Sequence, residues 1–391
     1  MFNFLINASV QENIIGALSS MNLWTALAKS VLIILLGFIL TKLKLLPDNT
    51  GKILTKVVMT IALPCLAFAS FMSDINQATF QSCLFSFVYG FVIYIIFIFL
   101  AKLIFIGVKD KNKRDVMEIL FVFGSTTFFG QPLIQAVFPD AFKDSNMFNV
   151  AYRVFLYSYA YYVICLKNNN PEIMANLNTS STDTSIKEDN KKKFDAKDFL
   201  LILKRIFINP IIIATFLGFI LWSLQLVGDT SDATQWWVVS VNGSTGAFWN
   251  IKVSLPWLYQ TINTLGGLSS PLVWIAIGCT LGKTSFKEAA GDKMVWIYSF
   301  LKVVIGPLIN LGILFLINLI PGVNVTFNTL ASTTLMWAVP PATVAITYCI
   351  NSNKESGFAS SASLITTLVA VIFIPIYMII LTLIQSAAIF A

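Results

Sequence analysis

VMEILFVFGSTTFFGQPLIQAVF, residues Val116 to Phe138, is long enough to cross a lipid bilayer, but it is not uniformly apolar. Its middle carries small and polar residues and a proline: Gly124, Ser125, Thr126, Thr127, Gly130, Gln131 and Pro132. Proline removes a backbone donor and clashes with the preceding helical turn. In hydrocarbon, the backbone groups freed in this way must be satisfied by protein or by a water-filled cavity. We therefore predict a broken helix of the kind that forms binding sites at the bilayer midplane.

A second segment repeats this pattern in the other half of the chain. NTLASTTLMWAVPPATVAITYCI, residues Asn328 to Ile350, carries Ser332, Thr333, Thr334, Pro340 and Pro341. The two Ser-Thr-Thr triplets lie 207 residues apart, and so do Pro64 and Pro271, which each interrupt an apolar run. Two independent landmarks with the same offset indicate an internal duplication.

The composition is typical of a polytopic membrane protein. Of the 391 residues, 57% are hydrophobic and only 12% are charged. About 20 apolar residues make one crossing. This rule predicts ten transmembrane helices at residues 22–41, 53–72, 80–106, 115–138, 147–166, 199–227, 255–281, 294–318, 328–350 and 357–387.

The distribution of Lys and Arg sets the predicted orientation, because cytoplasmic loops carry the excess of these residues. Loops after odd-numbered spans, counted together with the span ends that flank them, hold 21 of the 26 basic residues, whereas loops after even-numbered spans hold only Lys143 and Lys252. Both termini are therefore expected outside, with an outer tail at 1–21. The polar run at 167–198 is expected to be a disordered cytoplasmic linker. It joins repeats at 22–166 and 199–391, and five spans in each make these repeats inverted.

Several classes of function are excluded or disfavoured. The chain has no histidine, its five cysteines lie singly in apolar runs, and no phosphate-binding glycine motif is present. Glu118 is placed at the inner edge of the fourth span and the other acids in loops or the tail, so no buried carboxylate is expected. The sequence therefore predicts neither an enzyme nor a nucleic-acid-binding protein, and it offers no obvious proton carrier.

Apart from the basic residues at the inner ends of spans, three positive charges fall within predicted spans: Lys29, Arg153 and Lys302. Lys29 lies near a helix end, where its side chain can reach the interface. Arg153 could reach outward or face an anion, and Lys302 could contact a substrate or balance the C-terminal ends of the broken helices. The hydroxyls of the two triplets could bind a substrate or donate to the carbonyls of the preceding turn. Together these groups favour a small organic anion.

Several motifs resemble the auxin efflux carrier family, which includes plant auxin carriers and bacterial malate and malonate permeases. FGSTTFFGQPLIQAVF is similar to the family's fourth-span motif, and LKRIFINPIIIATFLGFIL carries its Asn-Pro signature at Asn209 and Pro210. LGGLSSPLVWIAIGCTLG, LKVVIGPLI and WAVPPATVAITYCINSN resemble spans seven to nine. The resemblance covers nearly the whole chain.

The resemblance implies an all-α fold in which ten helices form a 5+5 inverted repeat. Spans four and nine would break at proline and cross, here at Pro132 and at Pro340 and Pro341. Spans 3–5 and 8–10 would form the transport domain, while spans 1, 2, 6 and 7 would form a scaffold that often dimerises. The chain departs from the family pattern at Ser125, where the family has Asn.

These observations predict a secondary transporter of a small carboxylate, such as the dicarboxylates malate or malonate, that works by elevator-type alternating access. It would lie in the cell membrane and need no cofactor, with the coupling ion, sodium or proton, left open. A sodium-coupled carrier of larger organic anions and a non-transporting sensor of a small acid are the alternatives. The expected substrate-binding residues are Ser125, Thr126, Thr127, Gln131, Pro132, Arg153, Lys302, Ser332, Thr333, Thr334, Pro340 and Pro341.

Overall fold

The computed structural model describes residues 21–47, 49–73, 75–166, 208–227, 235–241, 243–283, 289–387 and 390. The outer tail apart from Met21, the linker at 167–198 and the start of the sixth predicted span lie outside the described residues. Within the described residues the chain is predominantly helical.

The helices are numbered here in chain order. They are α1, Met21–Lys42; α2, Thr50–Ser70; α3, Gln77–Ile104; α4, Lys111–Val122; α5, Gln131–Val137; α6, Phe142–Phe155; α7, Pro210–Ser223; α8, Ile251–Ser254; α9, Pro256–Gly267; α10, Ser269–Lys283; α11, Lys293–Phe300; α12, Gly306–Asn318; α13, Phe327–Trp337; α14, Thr343–Asn351; and α15, Ser356–Ser386.

Five helical segments in the described part of the chain are long and apolar enough to cross a membrane. These are α2, α3, the continuous pair α9 and α10, the continuous pair α11 and α12, and α15. They overlap the second, third, seventh, eighth and tenth predicted spans. A multi-pass membrane protein is therefore supported by length and composition, since one crossing needs about 20 apolar residues.

A short β-hairpin lies between the sixth and seventh predicted spans of the otherwise predominantly helical described chain. Val238–Val241 (β1) pairs in antiparallel fashion with Ser244–Ala247 (β2). The intervening sequence Asn242-Gly243 is typical of a two-residue hairpin turn, and Gly243 has a positive φ of 78°. The run VVSV contains three valines, which favour strands and which a search for apolar helices does not detect.

Three prolines inside apolar helices follow wide, π-helical turns. The turns are Val58–Ala62, Thr126–Gly130 and Leu301–Ile305, and the prolines two residues beyond them are Pro64, Pro132 and Pro307. A proline ring clashes with the carbonyl four residues earlier and provides no donor for it. A π turn at that point shifts the carbonyl away, so the helix continues through the proline.

The helices pack in two groups. In one group α1 contacts α10, α2 contacts α7 and α9, and α10 contacts the first turns of α2. The backbones of α1 and α10 meet closely at Gly37 and Gly278, where a Cβ atom would overlap the facing backbone. In the other group α3 contacts α6, α11 contacts α15, and α13 contacts α3, α6, α12 and α15. The helix α13 is thus central to the second group.

Candidate functional site

Two interrupted helices meet through their backbones. The helix α4 ends at Val122, and α13 ends at Trp337. Between them Gly124 forms an antiparallel bridge with Pro341. The N–H of Ser125 donates to the carbonyl of Pro340 at 2.7 Å, and the N–H of Ala342 donates to the carbonyl of Phe123 at 2.9 Å. This pairing satisfies backbone groups that would otherwise be unpaired within a buried helix break.

Gly124 is the residue that allows this close approach. A Cβ atom at this position would lie 2.7 Å from Val339 Cγ2 and 3.2 Å from Lys302 Nζ. The first of these separations is shorter than real Cβ contacts, so a larger residue would push the two segments apart. The glycine, rather than a proline, therefore marks the first helix break.

The expected position of the first crossing is corrected by these contacts. Pro132 lies in the first turn of α5, eight residues beyond Gly124, and is fully buried. A proline is tolerated there because the first turn of a helix needs no backbone donor, and the preceding π turn accommodates the ring. The helix break at Phe123–Ser125 thus precedes the proline. In the second segment, Pro340 and Pro341 do lie at the break.

Lys302 belongs to the π turn between α11 and α12, and its side chain is fully buried beside the C-terminal end of α4. Its Nζ donates to the carbonyl of Phe121 at 2.7 Å and lies 5.2 Å from the ring centre of Trp337. Carbonyls at the C-terminal end of a helix carry a partial negative charge. Lys302 therefore balances this helix end, which is one of the two roles considered from the sequence. Among the described residues it forms no ion pair with a carboxylate.

Polar side chains after the first break face one side of α6. The Thr126 hydroxyl donates to Asn149 Oδ1 at 2.6 Å, and the Gln131 amide donates to Asn146 Oδ1. Arg153 donates to the Thr127 hydroxyl at 3.1 Å. All of these side chains are buried, so Arg153 does not reach outward. The predicted site residues of the fourth span thus contact the fifth span directly.

Two buried polar atoms in this cluster lack a hydrogen-bond partner among the described residues. They are Asn149 Nδ2, a donor, and Gln131 Oε1, an acceptor. Arg153 is 2% exposed and forms no ion pair with a carboxylate in the described part of the chain. Buried polar groups are nearly always paired, and a buried charge is costly without a counter-charge. A carboxylate ligand would accept hydrogen bonds from both Asn149 Nδ2 and the Arg153 guanidinium.

Asn146 and Asn149 were not identified as candidates from the sequence. Their spacing with Arg153, three and then four residues, places all three on one face of a helix. This polar stripe is visible in NMFNVAYR, but the fifth span was predicted to begin only at 147, whereas α6 begins at Phe142. The side-chain amides lie beside a segment in which Ser125 stands where the resembling family has Asn.

The second Ser-Thr-Thr triplet lies inside α13, before the helix break. The Ser332 hydroxyl donates to the carbonyl of Thr329 at 3.1 Å, and the Thr333 hydroxyl donates to the same carbonyl at 2.8 Å. Asn310 Nδ2 donates to the hydroxyls of Thr333 and Thr334. Ser332 and Thr333 therefore show the back-bonding considered from the sequence, and Thr333 and Thr334 contact α12.

The expectation that no carboxylate is buried is wrong. Asp144 is 2% exposed and lies in the first turn of α6. Asp115 is also buried, and its Oδ2 lies 3.0 Å from Nζ of the buried Lys354. Both aspartates lie close to a predicted span boundary, where hydropathy cannot separate a loop from a first helical turn. Lys29, in contrast, is exposed.

Comparison with protein families gives one match over most of the chain. The family model named Mem_trans, described as membrane transport protein, matches residues 23–378. A search of curated proteins returned no match.

Proposed function

We propose that this chain, which belongs to the membrane transport protein family of auxin efflux carrier type, is a secondary transporter of a small dicarboxylate such as malate or malonate. The family assignment confirms the resemblance seen in the sequence. The family is one of transporters and not of enzymes. The substrate class and the transport mechanism are the proposed part.

The buried Arg153 carries the proposal for an anionic substrate. It is a positive charge without a carboxylate partner in the described part of the chain, and the unpaired amide donor of Asn149 lies one helical turn away. Guanidinium groups bind carboxylates through two parallel hydrogen bonds. We assign one substrate carboxylate to Arg153, Asn149 and the hydroxyl of Thr127.

The remaining polar groups give the site its proposed length and selectivity. Asn146 lies about two turns, or roughly 10 Å, from Arg153 along α6. Gln131, on α5, donates a hydrogen bond to Asn146 and so lies at the same end of the site. The unpaired acceptor atom Gln131 Oε1 suits a donor such as a substrate hydroxyl. Lys302 adds positive charge beside the paired backbones. Ser125, Thr126, Pro132, Pro340 and Pro341 are proposed to shape the site, and Ser332, Thr333 and Thr334 to support it from α13.

We further propose that the described helices form two structural units that move relative to each other. The packing of α1, α2, α7, α9 and α10 with one another supports a scaffold, and the group around α13 supports a transport domain. The paired helix breaks would travel with that domain in elevator-type alternating access. The 5+5 inverted repeat, with both termini outside, and a homodimer through the scaffold remain part of this proposal.

Counterflow into liposomes tests the proposed function. Purified protein would be reconstituted with internal unlabelled malonate or malate, and entry of external labelled dicarboxylate would be followed. We expect accumulation that requires the protein and that excess external dicarboxylate suppresses. Binding of these acids in a thermal-shift assay without any counterflow would contradict transport and favour a sensor.

A further inference from the structure

Asp144 lies where three helices meet. Its Oδ1 accepts hydrogen bonds from the hydroxyls of Ser86 on α3, at 2.8 Å, and Thr329 on α13, at 3.0 Å. The hydroxyl of Ser82, one turn before Ser86, donates to the same oxygen and also contacts that of Thr326. Four hydroxyls and one carboxylate from three helices thus form a continuous buried cluster.

No positive charge neutralises this carboxylate in the described part of the chain. The other two buried carboxylates have basic partners: Asp115 is bound by Lys354, and Glu118 lies 3.8 Å from Arg114. Lys143, next to Asp144 in sequence, directs its ammonium toward Trp222, with Nζ 5.0 Å from the ring centre. A buried carboxylate is strongly disfavoured unless it is paired or takes up a proton.

We propose that Asp144 binds and releases a proton during the transport cycle and that this proton is the coupling ion. The proposal rests on the proposed function, because coupling needs a transported anion. Among the described residues, the buried charges outside the two pairs are Arg153, Lys302 and Asp144. With Asp144 ionised their sum is one positive charge, and with Asp144 protonated it is two. The protonated site therefore matches the charge of a dicarboxylate.

The compactness of the cluster favours a proton over a metal cation. The cluster oxygens of Ser86, Thr329 and Asp144 lie 2.8 Å to 3.0 Å apart. These are ordinary O–H···O hydrogen-bond distances, and the hydroxyls of Ser86 and Thr329 direct their protons at the carboxylate, whereas a cation would require the hydroxyl oxygens to face it. No group of three or more His, Cys, Asp and Glu that could hold a metal occurs among the described residues.

The surroundings of Asp144 also give the proton a short path. Asp140, four residues earlier, is exposed, so only about one turn of chain separates the carboxylate from the surface. The other titratable groups near Asp144 are the thiol of Cys83 on α3 and the ammonium of Lys143 on its own helix. The facing groups at the start of α13 are the hydroxyls of Thr326, which caps the helix, and Thr329, and they do not titrate in this range. Asp144 is thus the one carboxylic acid among the groups that contact one another in this cluster.

A stability measurement tests proton binding without any substrate. The thermal midpoint of the full-length protein would be recorded between about pH 5 and about pH 8, for wild type, Asp144→Asn and the control Asp140→Asn, which changes an exposed carboxylate. Loss of the proton leaves a buried charge, so the wild-type midpoint should fall by about 2–4 °C as the pH rises. Asp144→Asn should abolish this fall, and Asp140→Asn should retain it. An equal fall in wild type and Asp144→Asn would overturn the proposal.

Two further measurements cover the case in which Asp144→Asn does not fold and the case in which the site binds sodium. If Asp144→Asn does not fold, Ser86→Ala replaces it: loss of one donor to the carboxylate should move the fall in midpoint to higher pH, and an unmoved fall would overturn the proposal. The thermal midpoint would also be compared in sodium and in potassium at constant pH. A midpoint that sodium raises in wild type but not in Asp144→Asn would show that the coupling ion is sodium and not a proton.

Transport then tests the coupling itself. An inward proton gradient should accelerate malonate uptake by wild type several-fold and by Asp144→Asn not at all, with counterflow by the variant still measurable. Equal acceleration in both proteins would overturn the coupling role. Absence of counterflow in wild type would contradict the proposed function, and the stability measurement would still decide proton binding.

Discussion

The guanidinium of Arg153 donates a hydrogen bond to the Thr127 hydroxyl, 3.1 Å away. This contact joins α6 to the π turn that follows the first helix break, so any movement of that break also moves Arg153. A buried cation is therefore held beside the first helix break, and the neutral hydroxyl that it contacts cannot neutralise its charge. The first prediction follows from this relationship.

Replacing Arg153 by alanine should weaken dicarboxylate binding strongly. Hydrogen bonds that involve a charged group contribute about 1.5–3 kcal/mol, so the affinity should fall roughly 10- to 150-fold. Arg153→Lys should retain part of the affinity, because it keeps the charge but loses the planar, two-pronged geometry. Competition by malonate or malate in counterflow measures both effects. Lys111→Ala, which removes an exposed basic residue at the start of α4, is the control, and equal affinities of wild type and Arg153→Ala would exclude Arg153 from the site.

Replacing Lys302 by methionine should abolish uptake while folded protein remains in the membrane. Methionine keeps the length and apolar contacts of the side chain but removes the charge that faces the carbonyl of Phe121. Uptake in liposomes and the elution profile of the purified variant check the two parts. Lys293→Met, at the exposed start of the same span, should leave uptake unchanged. Normal uptake by Lys302→Met would show that this charge is not needed at the helix break.

Gly124→Ala should destabilise the paired helix breaks. The added methyl group would lie 2.7 Å from Val339 Cγ2, and overpacking of a well-packed core typically costs about 1–3 kcal/mol. The double variant Gly124→Ala with Val339→Ala should recover stability, because it removes the overlapping methyl groups. Thermal unfolding of the single and double variants measures this coupling. Gly357→Ala, where nothing lies within 4 Å, is the control, and additive effects at 124 and 339 would contradict the contact.

The sequence indicated the interrupted segments through their Ser-Thr-Thr triplets and prolines, but it misplaced the first interruption. Pro132 was expected to break the helix because its missing donor is visible in the sequence. The π turn that accommodates this proline is not visible, and the close approach that requires Gly124 depends on a residue 215 positions away, Val339. Contacts between distant segments thus decide which of two helix-breaking residues acts.

Only some residues of the candidate site were predictable from the sequence. Thr126, Thr127, Gln131 and Arg153 were recognised because polar residues inside an apolar span are conspicuous. Asp144 and Asn146 were assigned to a loop, because polar side chains in the first turn of a span lower its hydropathy as loop residues do. A helical plot of 142–155 would have shown the polar face, whereas the partners of Asp144 on α3 and α13 are non-local and required the structure.

The buried pair of Asp115 and Lys354 should contribute more to stability than the exposed pair of Lys113 and Asp292. Lys354 Nζ lies 3.0 Å from Asp115 Oδ2 and also donates to the carbonyl of Val163, and both side chains are about 5% exposed or less. Removal of one partner of a buried pair leaves an uncompensated charge and typically costs about 3–5 kcal/mol. We expect Lys354→Met to lower the thermal midpoint by several degrees.

The design of this last experiment separates the cost of an unpaired charge from the value of the pair. Asp115→Asn combined with Lys354→Met removes both charges and should recover much of the stability that Lys354→Met loses, since neutral replacement of a buried pair is often tolerated. Asp292→Asn is the exposed control: its carboxylate lies 3.5 Å from Lys113 with 45% of the side chain exposed. Exposed pairs contribute about 0–1 kcal/mol, so its midpoint should scarcely move. A double variant less stable than Lys354→Met would show that the carboxylate of Asp115 is stabilised by groups other than this lysine.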